Sequence, residues 1–353
     1  MLSFFPGPSK VYPEVQQYLQ DAYAQDILSM PHRSAGFEQL SRKTIELLKK
    51  KLNIPQDYMV FFTSSATECW EITLQSLVKK QSLHIFNGSF GQKWFEYAQK
   101  MGLTALSYPF GFNDTPNPNE LPQYKFPDLV CLTHNETSNG TQLPAEFLLH
   151  VRSLYPDSII AVDATSSLGG LHLKINKADI WFASVQKCFG LPAGLGIMLC
   201  SPKAVERAKQ INNRSHYNSM PVMIDRMLNY QTYNTPNVLA IYLLSRVLEQ
   251  INLIRTTDKN LKLRNEKLYQ ELAEFTDFEP LIANTEVRSK TVLAFKAAEK
   301  FVSDLRQKAL NQNILLGKGY DVWAKNTFRI ANFPQHTDAD FELLLGFFRK
   351  NCR

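Results

Sequence analysis

Asp179-Ile-Trp-Phe-Ala-Ser184 runs directly into Ser184-Val-Gln-Lys-Cys-Phe-Gly190. The first part is an apolar run of strand length, and Lys187 stands just beyond its end. Upstream, Ser158-Ile-Ile-Ala-Val-Asp163 is a second apolar run, closed by one acid. Short continuous apolar runs of this kind read as strands buried on both faces. A lysine held at the end of such a strand has its pKa lowered by desolvation, and becomes a usable amine nucleophile for a Schiff base. A buried acid nearby is what a pyridinium nitrogen needs as a partner. Taken singly, each residue has an ordinary reading: a strand-end lysine is solvated, and a strand-end aspartate caps a turn or helix. Taken together they point to pyridoxal phosphate.

Outward from these two runs the same pattern repeats. Further strands are predicted at Tyr58–Phe62, Leu83–Phe86, Thr104–Tyr108, Leu129–Leu132 and Leu195–Leu199. Helical stretches separate several of them, which predicts an α/β domain with a mostly parallel central sheet and helices on both faces. A first helix opens at Pro13, with Val15, Leu19 and Tyr23 as its expected apolar face. A second covers Phe37–Lys51, with Leu40, Ile45, Leu47 and Leu48 facing inward. Helices are expected from Leu239 to Asn252 and from Asp258 to Phe275. The remainder reads as a smaller α+β unit, with strands at Thr291–Phe295 and Phe328–Ala331 and helices at Phe301–Asn311 and Ala339–Arg349. The change of pattern near residue 255 predicts a large domain over 14–254 and a small one made of 1–13 and 255–353.

At 353 residues, 44% hydrophobic and 20% charged, the chain has the composition of an ordinary globular protein with room for two domains. Its net charge of +6 is spread out rather than gathered in a basic block, which argues against nucleic acid and suits an anionic substrate. The densest run, Lys49-Lys50-Lys51, ends a helix, where cations complement the dipole. None of the five cysteines is in a metal-type spacing, and no metal is expected. Four of them lie in or beside apolar runs, as reduced thiols of a cytoplasmic protein do. The opening Met1-Leu-Ser-Phe-Phe-Pro-Gly-Pro8 has no basic start and no long apolar stretch, so neither a signal peptide nor a membrane span is expected.

In open parallel sheets, ligands gather outside the carboxyl ends of the strands. Thr63-Ser-Ser-Ala-Thr67 follows the first strand and precedes a helix, a place where backbone N–H groups and hydroxyls hold phosphate. Asn87-Gly-Ser-Phe90, Thr133-His-Asn-Glu-Thr-Ser-Asn-Gly140, Asp163 and Ser184-Val-Gln-Lys187 close the other strands. Each has a structural reading as a cap, a turn or, for Phe90, core. Five polar strand ends along one sheet edge make a site.

Phe5-Pro-Gly-Pro8, His32-Arg33, Asn135-Glu-Thr137, Asp163, Gln186-Lys187, Tyr233-Asn-Thr-Pro236 and Phe328-Arg329 occur in an order and spacing that span most of the chain. In these the chain resembles the class V, fold-type I pyridoxal phosphate-dependent aminotransferases, and among them the phosphoserine aminotransferases. The resemblance implies a cytoplasmic homodimer with shared active sites. It also implies a role in serine biosynthesis, exchanging the amino group between O-phospho-L-serine and 2-oxoglutarate. It makes Lys187 the Schiff-base residue and proton carrier, and Asp163 the partner of the ring nitrogen. It puts Phe90 on the ring face, where the family often has Trp, and Thr137 on the phenolic oxygen. Ser65, Ala66, Thr67 and Gln186 hold the cofactor phosphate, with Asn234 and Thr235 reaching it from the other subunit. Arg329 takes the substrate carboxylate, and His32 with Arg33 the substrate phosphate.

Two departures bear on the substrate. The family's glycine-rich stretch ending in Arg is replaced by Ser64-Ser-Ala-Thr-Glu68, and its late His-Arg pair by Gly317-Lys-Gly-Tyr-Asp-Val-Trp323. Two alternatives therefore stand beside phosphoserine. One is a class V transaminase of alanine or serine with glyoxylate or pyruvate; the other is a non-catalytic protein on the same fold. Cysteine desulfurases fit less well, since they place His where this chain has Phe90 and Gln186.

Overall fold

The structure, a computed structural model, describes residues 1–122 and 126–353. Its strands in chain order are β1 (Leu2–Phe4), β2 (Met59–Thr63), β3 (Gln81–Phe86), β4 (Thr104–Pro109), β5 (Leu129–Thr133), β6 (Asn135–Glu136), β7 (Thr141–Gln142), β8 (Ile159–Asp163), β9 (Ile180–Ser184), β10 (Gly196–Cys200), β11 (Glu279–Pro280), β12 (Val292–Lys296), β13 (Ile314–Lys318) and β14 (Thr327–Ala331). The seven apolar runs of the first 200 residues form one sheet, in the order β2-β10-β9-β8-β5-β3-β4. Every residue of β5, β8, β9 and β10 is buried, which is why they read as uninterrupted apolar runs.

Four neighbouring pairs, from β9 through β8, β5 and β3 to β4, are parallel. β10 alone runs the other way, antiparallel to both β9 and β2. The loop joining β9 to β10 is too short for a crossover, so the chain turns back on itself. Helices cover both faces. Trp94, on the helix Ser89–Lys100, meets Phe182 edge-on from one side. On the other side Trp181 donates its indole N–H to the carbonyl of Ile175.

The second sheet has the order β1-β13-β14-β12-β11. Its aromatic core stacks Phe295 on Phe328, with Phe278 edge-on to both. β1 comes from the start of the chain and pairs in parallel with β13, Leu2 opposite Ile314.

The first helix differs from expectation. Over Val15–Ala24 the buried residues are Val15, Tyr18 and Ala22, while Leu19 is 42% and Tyr23 78% exposed. Tyr18 decides the face: its hydroxyl donates to Gln250, and the Arg246 guanidinium lies over its ring. In the second helix, Ala35–Leu52, Ile45 and Leu48 are buried as expected, and Leu40 and Leu47 lie at the margin. Among the described residues no helix is long and apolar enough to cross a membrane.

Candidate active site

The carboxyl ends of β2, β5, β8 and β9 open into a cavity of about 240 Å³ lined by Ala66, Thr67, Phe90, Thr137, Asp163, Gln186, Lys187 and Arg329 among others. Eight of the residues singled out from the sequence therefore meet in one place.

Lys187 is 7% exposed, and its Nζ donates to Thr137 Oγ1 at 2.9 Å. The ammonium lies 5.4 Å from the centroid of the Phe90 ring. Burial drives its pKa down to about 8, with Arg329 adding to the effect and Asp163 opposing it. The turn Pro6-Gly7-Pro8 covers the lysine stem. A Cβ on Gly7 would stand 2.8 Å from Lys187 Cε, and its φ of +133° is one that only glycine adopts at ease. The turn is tied down by Ser9 N–H, which donates to the carbonyl of Gln186 at 3.0 Å.

Asp163 ends β8. One oxygen accepts from Trp70 Nε1 at 2.9 Å, and the other from the amide and hydroxyl of Thr165. Burial raises its pKa, with the hydrogen bonds from Thr165 and Trp70 pulling it back. Its hydrogen bonds come from neutral donors, so a cation in the cavity would complete it.

The helix Ala66–Leu77 starts at the end of β2 with Ser65 as its cap, the hydroxyl accepting from Glu68 N–H. Ala66 N–H is held by Ser184 Oγ at 2.8 Å. Thr67 at this N-terminus and Gln186 across from it face the cavity, an arrangement suited to an anion. Arg329 on β14 is 3% exposed; its Nε donates to the Lys318 carbonyl and its Nη1 to that of Thr137. Burial lowers its pKa to about 10, so it stays a cation at neutral pH. Nη2 makes no hydrogen bond among the described residues.

A pyridine ring with a basic nitrogen, an aldehyde and a phosphate matches these parts: carboxylate, amine, aromatic face and helix N-terminus.

His32, Arg33, Asn234 and Thr235 do not line the cavity. Arg33 Nη1 donates to Gln231 Oε1 at 3.0 Å and to the Thr232 carbonyl at 2.8 Å. Thr232 Oγ1 in turn donates to the Asn234 carbonyl. The Arg33 and Gln231–Thr235 segments thus form one patch outside the cavity. Glu68 does not line the cavity either. It accepts from Ser64 N–H and Oγ, both at 2.7 Å, and from Tyr233 at 2.8 Å, Tyr217 and Asn218. Burial pushes this carboxyl up, but the bonds from Ser64, Tyr233 and Asn218 outweigh it and hold the pKa below its ordinary value.

Sequence reasoning missed Glu136, Tyr320 and Trp70. Buried Glu136 accepts from the amides of Phe90, Gly91 and Ser138 and from the Ser138 hydroxyl. It lay inside the quoted triplet Asn135-Glu-Thr137, and a charge between two strand-end polar residues was its only signal. The Tyr320 ring lies 5.1 Å from that of Phe90, and its hydroxyl accepts from Lys93 Nζ at 2.6 Å.

The family model described as aminotransferase class-V matches residues 6–333. The phosphoserine aminotransferase of Corynebacterium glutamicum (strain R) is 29% identical, over 96% of this chain and 91% of its own length. The crystal structure of a phosphoserine aminotransferase from Cytophaga hutchinsonii superposes with a TM-score of 0.94 at 32% identity, over 99% of this chain and 98% of that one. An alanine–glyoxylate aminotransferase from Nostoc shares the fold, with a TM-score of 0.83 at 20% identity over 99% and 94%. With Lys187, Asp163 and Arg329 gathered at the strand ends of this fold, the chain belongs to the class-V aminotransferases, enzymes that depend on pyridoxal phosphate.

Proposed function

We propose that this protein is a phosphoserine aminotransferase, exchanging the amino group between O-phospho-L-serine and 2-oxoglutarate. The observation that carries the chemistry is Lys187: a buried amine with a pKa near 8, bonded to Thr137 and facing an aromatic ring. The substrate follows from the relatives, which cover nearly the whole chain.

When bound, pyridoxal phosphate supplies the electron sink that lets the substrate Cα–H bond break. Lys187 Nζ would hold the cofactor and then take the Cα proton; burial lowers its pKa to about 8, which makes the amine a usable base near neutral pH. Asp163 would pair with the ring nitrogen and favour its protonated form, the cation that its neutral donors leave room for. Phe90 would pack on the ring face, and Thr137, bonded to the amine, would meet the phenolic oxygen. The Ser65–Thr67 helix start and Gln186 would take the phosphate. Arg329 takes the substrate carboxylate with its free Nη2, in the fork geometry that guanidinium gives.

His32, Arg33, Asn234 and Thr235 lie together outside the cavity of their own chain, so they act across a two-fold interface, in the cavity of a second copy. There Asn234 and Thr235 meet the cofactor phosphate, and His32 and Arg33 the phosphate of the substrate. The protein is a cytoplasmic homodimer; all five cysteines are free, as a reducing compartment keeps them.

A second reading rests on the segment 317–323, which lacks the His-Arg pair that the resemblance leads one to expect and sets Tyr320 beside Phe90; it favours alanine or serine as the amino donor. Single-turnover mixing separates the two. Wild type loaded with cofactor shows a visible absorption band that Lys187→Ala lacks. O-phosphoserine bleaches that band rapidly. Bleaching by alanine and none by O-phosphoserine would replace the first reading by the second.

A further inference from the structure

A second cavity, also about 240 Å³, lies on the opposite face of the same sheet. Strand alternation creates the pair: Thr133 and Asp163 face the catalytic cavity, while Leu132, Val162 and Trp181 floor this one. Leu143, Leu148, Leu171 and Leu173 complete an apolar wall. The mouth has the opposite chemistry. Lys174, Lys177 and Lys262 line it, with the Lys174 and Lys262 side chains about half exposed. Lys262 is paired with Asp258 at 2.8 Å, Lys174 reaches Glu146 only at 3.8 Å, and Lys177 has no ion pair among the described residues.

One polar group breaks the apolar interior. His134 is 9% exposed, and its Nδ1 is bonded to Ser167 Oγ at 2.9 Å. Its Nε2 has no hydrogen-bond partner among the described residues, and the ring is part of the cavity lining. This nitrogen is not sealed off, so it offers a polar contact to whatever occupies the cavity. An apolar cavity of about 150 Å³ holds benzene, so this one has room for a ring and a short tail.

We propose that this cavity binds a small organic acid with an apolar body, of aryl-alkanoate size, its carboxylate at Lys177 and Lys174, away from the Asp258–Lys262 pair that also lines the mouth, and its hydrocarbon on the Leu132–Val162–Trp181 floor. A neutral molecule of the same shape leaves Lys177 unmatched and Lys174 with only its distant Glu146, and a small acid such as acetate leaves the floor uncovered. The site is distinct from the catalytic cavity, yet the two are joined: His134 N–H donates to the carbonyl of Asp163 at 2.9 Å.

The test is calorimetric titration of the cofactor-loaded enzyme with 3-phenylpropanoate. Saturable binding of one molecule per chain is expected, at least ten-fold tighter than 3-phenylpropan-1-ol or acetate. It survives Arg329→Lys, which disables the carboxylate clamp of the catalytic cavity. Lys174→Gln with Lys177→Gln weakens it at least ten-fold, and Ala145→Trp, at the exposed mouth, blocks it. Leu148→Phe is a second blocking variant should the first fail to fold. The proposal is overturned by an absence of saturation or by equal affinity for the alcohol. It is equally overturned by binding that disappears in Arg329→Lys and persists in the blocked variants.

Discussion

The amide of Phe90 donates to Glu136 Oε2 at 3.1 Å, and the amide of Gly91 donates to the same oxygen at 3.2 Å. The first turn of the Ser89–Lys100 helix is thus fastened to the short strand β6, which is followed at once by Thr137, the residue bonded to Lys187. A Cβ on Gly88 would come within 2.4 Å of Glu136, so the fastening also requires that glycine. In Glu136→Gln an NH₂ must face either the two helix amides or the amide and hydroxyl of Ser138. A loss of about 1–3 kcal/mol follows from the unmatched donors, together with weaker cofactor binding as Phe90 shifts. Urea unfolding and cofactor titration measure the two effects; an unchanged midpoint would show that the carboxylate is dispensable.

Lys187 makes stability of the cofactor-free protein depend on pH. Its folded pKa of about 8 lies below the ordinary 10.5. Between these values the unfolded chain binds the extra proton, so folding becomes more favourable as pH rises through that window. The penalty of burying the charge is fully present below pH 8 and fades toward 10.5, a change on the order of a few kcal/mol. Comparing urea midpoints of wild type and Lys187→Met across this range isolates it. Parallel curves for the two proteins would contradict the assignment.

Gly7→Ala pushes on the lysine without touching the chemistry. The new methyl would need the space now 2.8 Å from Lys187 Cε, and the positive φ adds backbone strain of about 1–2 kcal/mol. Turnover is expected to fall at least ten-fold, with the unfolding midpoint moving only slightly. Steady-state kinetics beside thermal melts tests this; full activity would mean that the turn yields.

Arg329 and Arg33 are expected to separate by substrate. Arg329→Lys loses the fork and about 1.5–3 kcal/mol of charge-assisted bonding, so kcat/KM drops roughly ten- to hundred-fold for every amino acid. Arg33→Ala is selective for O-phosphoserine and spares alanine. Equal losses with both donors would remove Arg33 from substrate recognition.

The central sheet was legible because its strands are buried on both faces. β8 and β9 needed no alternation to be seen, and polar residues marked their ends. The same logic failed for the first helix, where the tyrosine at Tyr18 is buried through its hydrogen bond while Leu19 faces outward. β13 was not foreseen either. Its last residues, Gly317-Lys318, carry no apolar pattern and are strand only through pairing with Arg329 and Phe328. Within the site, single-residue chemistry was readable for Lys187, Asp163 and Arg329. The orientation of Glu68 was not, because it depends on Tyr217, Asn218 and Tyr233, about 150 residues downstream.

β1 leads straight into the turn that covers Lys187, and β1 is held by residues from the far end of the chain: it pairs with β13, and its Phe4 packs on His336 and Phe341. Leu2 must therefore wait for Ile314. On a chain made from its amino end, the central sheet can close while the lysine still stands open to water. Pairings this far apart in sequence are the slow ones to form. The lid over the reactive amine is among the last pieces put in place, although its residues are among the first to be made.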